Sequence, residues 1–392
     1  MSFSRSQSLF DCEVEFIWRL EMRTRQLSFA VLFAAVLASL VSQVGAAAHA
    51  GQVISPEVHP DRRVTFRLHA PRADRVEVNV QFAEGVQPMS KDNDGLWSIT
   101  LGPAEPDIYV YSFIVDGLEI TDPVNPVIKF WRTSKNLVEV PGERPMFFQE
   151  QRVGHGVVHI HKYESRSLGV TRSLYVYTPP GYETSQNVRF PVLYLLHGMG
   201  DNEDAWTVVG RANIIVDNLL AASKARPLVI VMPYGHTPSA PPDSQSLDNY
   251  REFEKDLIED VIPYIQERYR VSSDRKDRAI AGLSMGGGQA LTVGLGNLEL
   301  FGWVGAFSSA VPKGRKLDNL LDKLNVTNAR LELLWVGCGR KDFLFDANEK
   351  FLEVLKAKKV RHVARITDGA HDWRVWRRYL NEFVPLLYKT DE

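Results

Sequence analysis

Two hydrophobic rhythms divide this chain. In the first, apolar residues alternate with polar ones: Val64, Phe66 and Leu68; Val76, Val78 and Val80; Trp97, Ile99 and Leu101; Tyr109, Tyr111 and Phe113. Turn signals separate the runs, notably Asp92-Asn93-Asp94-Gly95 and Val115-Asp116-Gly117. A period of two places one face of each strand in a core, so the pattern predicts a small all-β sandwich over residues 51–147. Pro141-Gly142-Glu143-Arg144-Pro145 marks its end. Beyond it the rhythm changes. Short runs that are apolar throughout, such as Val192-Leu193-Tyr194-Leu195-Leu196, alternate with helical periods such as Phe253, Leu257, Val261, Ile262 and Ile265. Strands apolar on both faces are those of a parallel sheet covered by helices on each side. The predicted strands are 173–178, 191–196, 228–232, 279–283, 303–307, 331–336 and 363–366, all within an α/β domain spanning residues 148–392.

Residues 1–50 fit neither rhythm. Arg23 and Arg25 precede an apolar run, 27–44, that ends in small residues and Ala48-His49-Ala50. This is the layout of a secretory signal peptide, with cleavage expected after Ala50 and the true start expected at Met22. The mature protein is therefore expected to be secreted or periplasmic. The segment carries four basic and four acidic residues, so its removal leaves the net charge of −2 unchanged. It also removes Cys12, leaving Cys338 with no partner for an intramolecular disulfide. With 24% charged residues and no extended basic run, the chain offers no footprint for nucleic acid or an anionic membrane.

The chemistry centres on Gly282-Leu283-Ser284-Met285-Gly286. A strand pattern precedes it and a small-residue helix start follows, which is the context of a nucleophile elbow. A serine hydroxyl needs a base, and the base needs an orienting carboxylate. In an α/β-hydrolase sheet these follow in the order serine, acid, histidine. Only His362 and His371 come after Ser284. His362 sits in a strand-like run and reads as a sheet residue, whereas His371 lies on a loop directly before a helix, and is the expected base. The acid belongs on the loop after the preceding strand. Asp342 leads there, ahead of Asp346, which is placed to cap the next helix; Asp368 and Asp372 are too near His371 in sequence. The backbone N–H groups of Met285 and Met199 are the expected oxyanion donors. His197, beside Met199, reads as a brace for that loop. No metal or organic cofactor is required.

Five separated motifs, LLHGMGDNEDAW, GRANIIVDNLLA, VIVMPYG, AGLSMGGGQAL and GAHDWRVWRRYL, resemble the esterase D-type hydrolases. They are most similar to the feruloyl and acetylxylan esterases of carbohydrate esterase family one. Enterochelin esterases and mycolyltransferases are more distant cousins. The front domain resembles early-set immunoglobulin-like domains, especially in DGLWSITLGPAEPDIYVYSFIVDG. The resemblance implies an α/β-hydrolase fold, a Ser284–Asp342–His371 triad and an oxyanion hole at Met199 and Met285. It implies an exported serine carboxylesterase acting on acylated plant polysaccharide. A siderophore esterase, an acyltransferase and a glycan-binding protein with an inactive hydrolase domain are the alternatives.

Trp206 and Trp373 are candidate substrate walls, and Trp376 reads as packed under its helix. In the front domain, Trp97, Tyr109 and Tyr111 read as core rather than glycan contacts, which leaves that domain to shape one wall of the cleft. His155, His159 and His161 lie on a strand-like run and read as an exposed sheet face rather than a metal site. Asn325-Val326-Thr327 fits a glycosylation acceptor.

Overall fold

Alternation becomes pairing as soon as each short run finds a neighbour that covers its apolar face. The computed structural model describes residues 53–130, 134–240, 249–312 and 328–389. The expected signal peptide and the Asn325 sequon lie outside the described residues. Among the described residues ten strands come first: β1 (Glu57–Val58), β2 (Val64–His69), β3 (Val76–Val80), β4 (Val86–Pro88), β5 (Ser90–Lys91), β6 (Leu96–Leu101), β7 (Asp107–Val115), β8 (Leu118–Ile120), β9 (Ile128–Lys129) and β10 (Lys135–Val140). They form two sheets, ordered β1-β2-β6-β5 and β4-β3-β7-β10-β9, with β8 on β7. Phe66, Val78, Phe113 and Val140 meet between them with no exposed surface. Trp97, Tyr109 and Tyr111 are core as well, and each finds a partner for its polar tip. The Trp97 indole donates to Ala70 O at 2.9 Å, the Tyr109 hydroxyl to Glu105 O at 2.7 Å and the Tyr111 hydroxyl to Asp122 at 2.8 Å.

The second domain adds β11 (Val157–Ser165), β12 (Val170–Thr178), β13 (Val192–Leu196), β14 (Val229–Pro233), β15 (Arg278–Leu283), β16 (Trp303–Phe307), β17 (Leu333–Gly339) and β18 (Val363–Thr367). One sheet holds them in the order β11-β12-β14-β13-β15-β16-β17-β18, antiparallel at β11, β12 and β14 and parallel thereafter. Every residue of β13 to β16 is buried, including Arg278, which opens β15 and donates to Leu300 O and Ser273 O. β17 runs three residues further than expected, because Gly337, Cys338 and Gly339 pair with Arg365, Ile366 and Thr367. The acid's loop is correspondingly shorter.

The helices are α1 (Ala205–Val208), α2 (Ala212–Ala221), α3 (Asn249–Asp256), α4 (Ile262–Arg268), α5 (Met285–Gly296), α6 (Phe345–Ala357) and α7 (Trp373–Phe383). A π-turn at Leu257–Val261 joins α3 to α4 just before Pro263, which has no N–H to offer the ladder. On one face of the sheet, Phe253, Leu257, Ile265, Leu291 and Phe351 pack together; on the other, Ile215, Leu219, Trp376, Leu380 and Phe383 do.

Ile108, Leu137 and Phe148 belong to that second cluster too, so the sandwich and the sheet share apolar packing. A buried cation reinforces the seam. Arg377, fully buried on α7, donates to Val209 O at 2.8 Å and Ile108 O at 3.2 Å, and its guanidinium pairs with Asp107 at the start of β7. Removing one partner of such a pair typically costs about 3–5 kcal/mol, because the other charge stays buried.

Candidate active site

Ser284 occupies the turn between β15 and α5, with φ 53° and ψ −114°. A non-glycine residue there stores roughly 1–3 kcal/mol of backbone strain, tolerated only when neighbours over-determine it. They do. Ser284 N–H donates to Phe307 O at 2.9 Å, and its carbonyl accepts from Ala310 N at 2.8 Å and Gly288 N at 3.0 Å. The flanking glycines are required by contact: a Cβ on Gly282 would lie 2.5 Å from the Gly286 backbone, and one on Gly286 would lie 2.4 Å from His197 O. The turn is tight because nothing larger fits.

His371 follows β18 on the loop leading to α7. Asp372 caps that helix, its side chain accepting from Arg374 N at 3.0 Å and Val375 N at 3.3 Å. The imidazole is thereby fixed over the sheet edge. His371 Nε2 stands 2.9 Å from Ser284 Oγ, and its Nδ1 stands 2.9 Å from each carboxylate oxygen of Asp342. Burial pushes the Asp342 carboxyl up, but hydrogen bonding and charge from His371, together with the Leu344 N–H at 2.8 Å, bring it below its ordinary value. An ionised carboxylate only accepts, so the proton sits on Nδ1 and leaves Nε2 an acceptor for the serine hydroxyl.

The other candidates go elsewhere. Asp346 lies in the first turn of α6, which Leu344 rather than Asp346 precedes. His362 stands one residue ahead of β18, outside the strand in which it was expected, with Nδ1 2.8 Å from Val360 O. His155, His159 and His161 hydrogen-bond to separate partners: Asp217 and Gln151 O, Thr178, and Tyr264 with Tyr269.

Loop 197–200 follows β13 and faces the serine. His197 is buried, its Nε2 accepting from Gly235 N at 2.8 Å and its Nδ1 donating to Gly198 O at 2.8 Å. Burial, with the nearby His236, pushes its pKa down to about 3, so it is a neutral strut. Met199 and Met285 line the same cavity as Ser284 and His371.

That cavity measures about 690 Å³, within the range of small-molecule sites. Trp373 and Trp376 form its inner wall. Trp376 meets His371 edge-on at 4.9 Å and leaves its buried indole N–H without a hydrogen-bond partner among the described residues. It is therefore not merely packed under α7. Trp206, expected as a wall, is not one: it is 1% exposed, donates to Leu196 O at 3.0 Å and backs Trp373 edge-on at 5.1 Å. A hydrogen bond to the strand below draws that indole into the core. Phe343, which the sequence did not single out, is 76% exposed beside the cavity with its ring 4.4 Å from that of His371. The front domain contributes Gln81, Val110, Lys129 and Lys135 to the remaining wall.

Residues 165–387 match the esterase family, described as putative esterase, and residues 52–126 match carbohydrate-binding module 48 (isoamylase N-terminal domain). An endo-1,4-beta-xylanase/feruloyl esterase of Xylanibacter ruminicola is 32% identical over 341 residues, 85% of this chain. The alignment covers 46% of that protein, so the chain spans about half the length of this relative. Among solved structures, a ferulic acid esterase from the anaerobic fungus Anaeromyces mucronatus is 26% identical with a TM-score of 0.55, covering 62% of this chain and 96% of that one. The enterobactin esterase of Shigella flexneri shares the fold at a TM-score of 0.62 and 20% identity, covering 82% of this chain and 92% of that one.

Proposed function

This chain belongs to the esterase family, and from that premise we propose an exported serine carboxylesterase that releases aromatic acyl groups, of the feruloyl kind, from plant polysaccharide. The observation that carries the mechanism is the unbroken row Asp342–His371–Ser284, with 2.9 Å at each step. Ser284 Oγ attacks the ester carbonyl as His371 Nε2 takes its proton, and Asp342 stabilises the imidazolium that forms. Negative charge collects on the former carbonyl oxygen, which the N–H groups of Met199 and Met285 receive. Collapse expels the sugar alcohol, which leaves with the proton held on His371. Water then attacks the acyl-serine, giving up its proton to the same histidine, and the acid departs as Ser284 is restored.

The substrate class rests on the walls and on the relatives. Trp373, Trp376 and Phe343 offer aromatic faces and edges at the reacting serine, which suit a planar acyl group better than acetyl. Two of the compared proteins carry feruloyl or ferulic acid esterase in their names. Export rests on the leader-like composition of residues 1–50.

The test is one substrate panel run on wild type and Ser284→Ala: methyl ferulate, acetylated xylan, p-nitrophenyl acetate and a siderophore trilactone. Methyl ferulate is expected to give the highest kcat/KM, and the alanine variant to lose turnover by about 10⁴-fold or more while remaining folded. Wild-type rates in that variant would refute the mechanism; preference for the trilactone would refute the substrate class.

A further inference from the structure

A buried ion pair joins the two domains at the reacting serine. Lys129, on β9 of the sandwich, bonds Asp201 through its ammonium group; the two side chains are 8% and 5% exposed, and both line the cavity that holds Ser284 and His371. Asp201 ends the loop that carries Met199. Its own N–H donates to Gly198 O at 3.2 Å, closing that loop as a tight turn. A Cβ built on Gly198 would fall 3.4 Å from Ser284 Cβ and 3.7 Å from Asp201 Oδ2, so the carboxylate lies next to the turn that faces the nucleophile.

We infer that Lys129 is a positioning residue for the esterase site: it neutralises Asp201 so that the turn at 198–201 presents the Met199 N–H to the developing oxyanion without a bare carboxylate beside it. The inference rests on the serine-esterase reading above and extends it to the front domain. The charge logic is simple. The transition state places a new negative charge beside Ser284, in the cavity that Asp201 also lines. An unpaired carboxylate on the adjoining turn would oppose that charge, and would also be free to draw the turn's donors toward itself. The groups facing Asp201 are Lys129, Asp204 on the same loop and His371 across the cavity. Asp204 adds negative charge, and His371 is positive only while it holds the transferred proton. Lys129 is the counter-charge that touches the carboxylate. The active site of this enzyme is thus completed by a residue from outside the hydrolase domain.

Four full-length variants test this. Lys129→Met should lower kcat on p-nitrophenyl acetate roughly 10- to 100-fold, the scale of a small misplacement at the reacting centre, with KM changed less than about threefold. Lys129→Arg, which keeps the charge, should retain kcat within about threefold. Lys129→Met combined with Asp201→Asn should recover most of the loss, because it removes the carboxylate together with its partner. Ser284→Ala is the control for the underlying mechanism. Wild-type kcat in Lys129→Met overturns the inference, as does a double variant no better than the single one, since the loss would then be structural. If Lys129→Met does not fold, the arginine and double variants decide alone, and impaired kcat in both overturns it. Activity in Ser284→Ala would instead overturn the serine mechanism, so the two failures are told apart.

Discussion

Replacing Asp342 by asparagine changes one atom and removes the charge on which the imidazole depends. Oδ1 of the carboxylate already accepts the Leu344 N–H at 2.8 Å, and the asparagine carbonyl is expected to keep that bond. Its amide nitrogen then occupies the position of the other oxygen, 2.9 Å from His371 Nδ1, as a donor. Two donors oppose each other there, and only the carbonyl at Oδ1, already taking the Leu344 N–H, is left within 2.9 Å to accept from Nδ1; the balance shifts toward the tautomer with its proton on Nε2, which faces Ser284 Oγ and cannot serve as a base. The lost charge adds to this. A carboxylate about 4 Å from the centre of an imidazolium contributes about 4 kcal/mol at an effective dielectric of 20. That corresponds to roughly 10³-fold in rate at 1.36 kcal/mol per decade, and the wrong tautomer brings the expected loss to about 10³–10⁴-fold in kcat. The assay is steady-state hydrolysis of methyl ferulate and p-nitrophenyl acetate, paired with the rate of fluorophosphonate labelling at Ser284. Both rates should fall together while the thermal transition stays near wild type. A variant within tenfold of wild type on both esters would refute the assignment of Asp342 as the orienting acid.

Two further outcomes follow from the same geometry. Phe343→Ala should raise KM for methyl ferulate about fivefold, the equivalent of roughly 1 kcal/mol of ring contact, and leave kcat on p-nitrophenyl acetate unchanged; equal effects on both esters would argue against a substrate platform. His197 titrates near 6.5 when unfolded but only at about 3 when folded. The unfolded chain therefore binds the extra proton first, and stability is lost as pH falls from about 6.5, by about 1.4 kcal/mol per unit for this group. Urea unfolding at pH 7 and pH 5 should show that loss in wild type and a smaller one in His197→Gln, whereas parallel losses would refute it.

Much of the architecture was readable because period and burial are local properties. Strand β16 was expected at its observed bounds, since Trp303 to Phe307 is apolar throughout and Gly302 and Ser308-Ser309 bracket it. The three residues singled out for their order along the chain are the three that stand in one hydrogen-bonded row. What sequence missed was decided by contacts between distant segments. Nothing in AW at 205–206 announces the Trp206 bond to Leu196 O, so a core indole read as a pocket wall. The end of β17 was misplaced because Gly337, Cys338 and Gly339 have weak strand preference and are held by β18. β11 was read as an exposed sheet face but left off the strand list, because as an edge strand it leaves Val157 and Ile160 exposed with His159 between them. Phe343 went unread because it opens the apolar run Phe343-Leu344-Phe345, which reads as core leading into α6, whereas its ring is exposed.

Ile108, Leu137 and Phe148 interleave with the side chains beneath α7, and this bears on how such proteins can be taken apart. An appendage tethered by a linker can be trimmed away and leave its neighbour intact. Here a cut near residue 148 would strip three apolar plugs from a shared interior, strand Arg377 without Asp107, and open bare hydrocarbon to water. Sticky, poorly soluble fragments are the expected product. Swapping the front piece among relatives would demand that its partner surface travel with it.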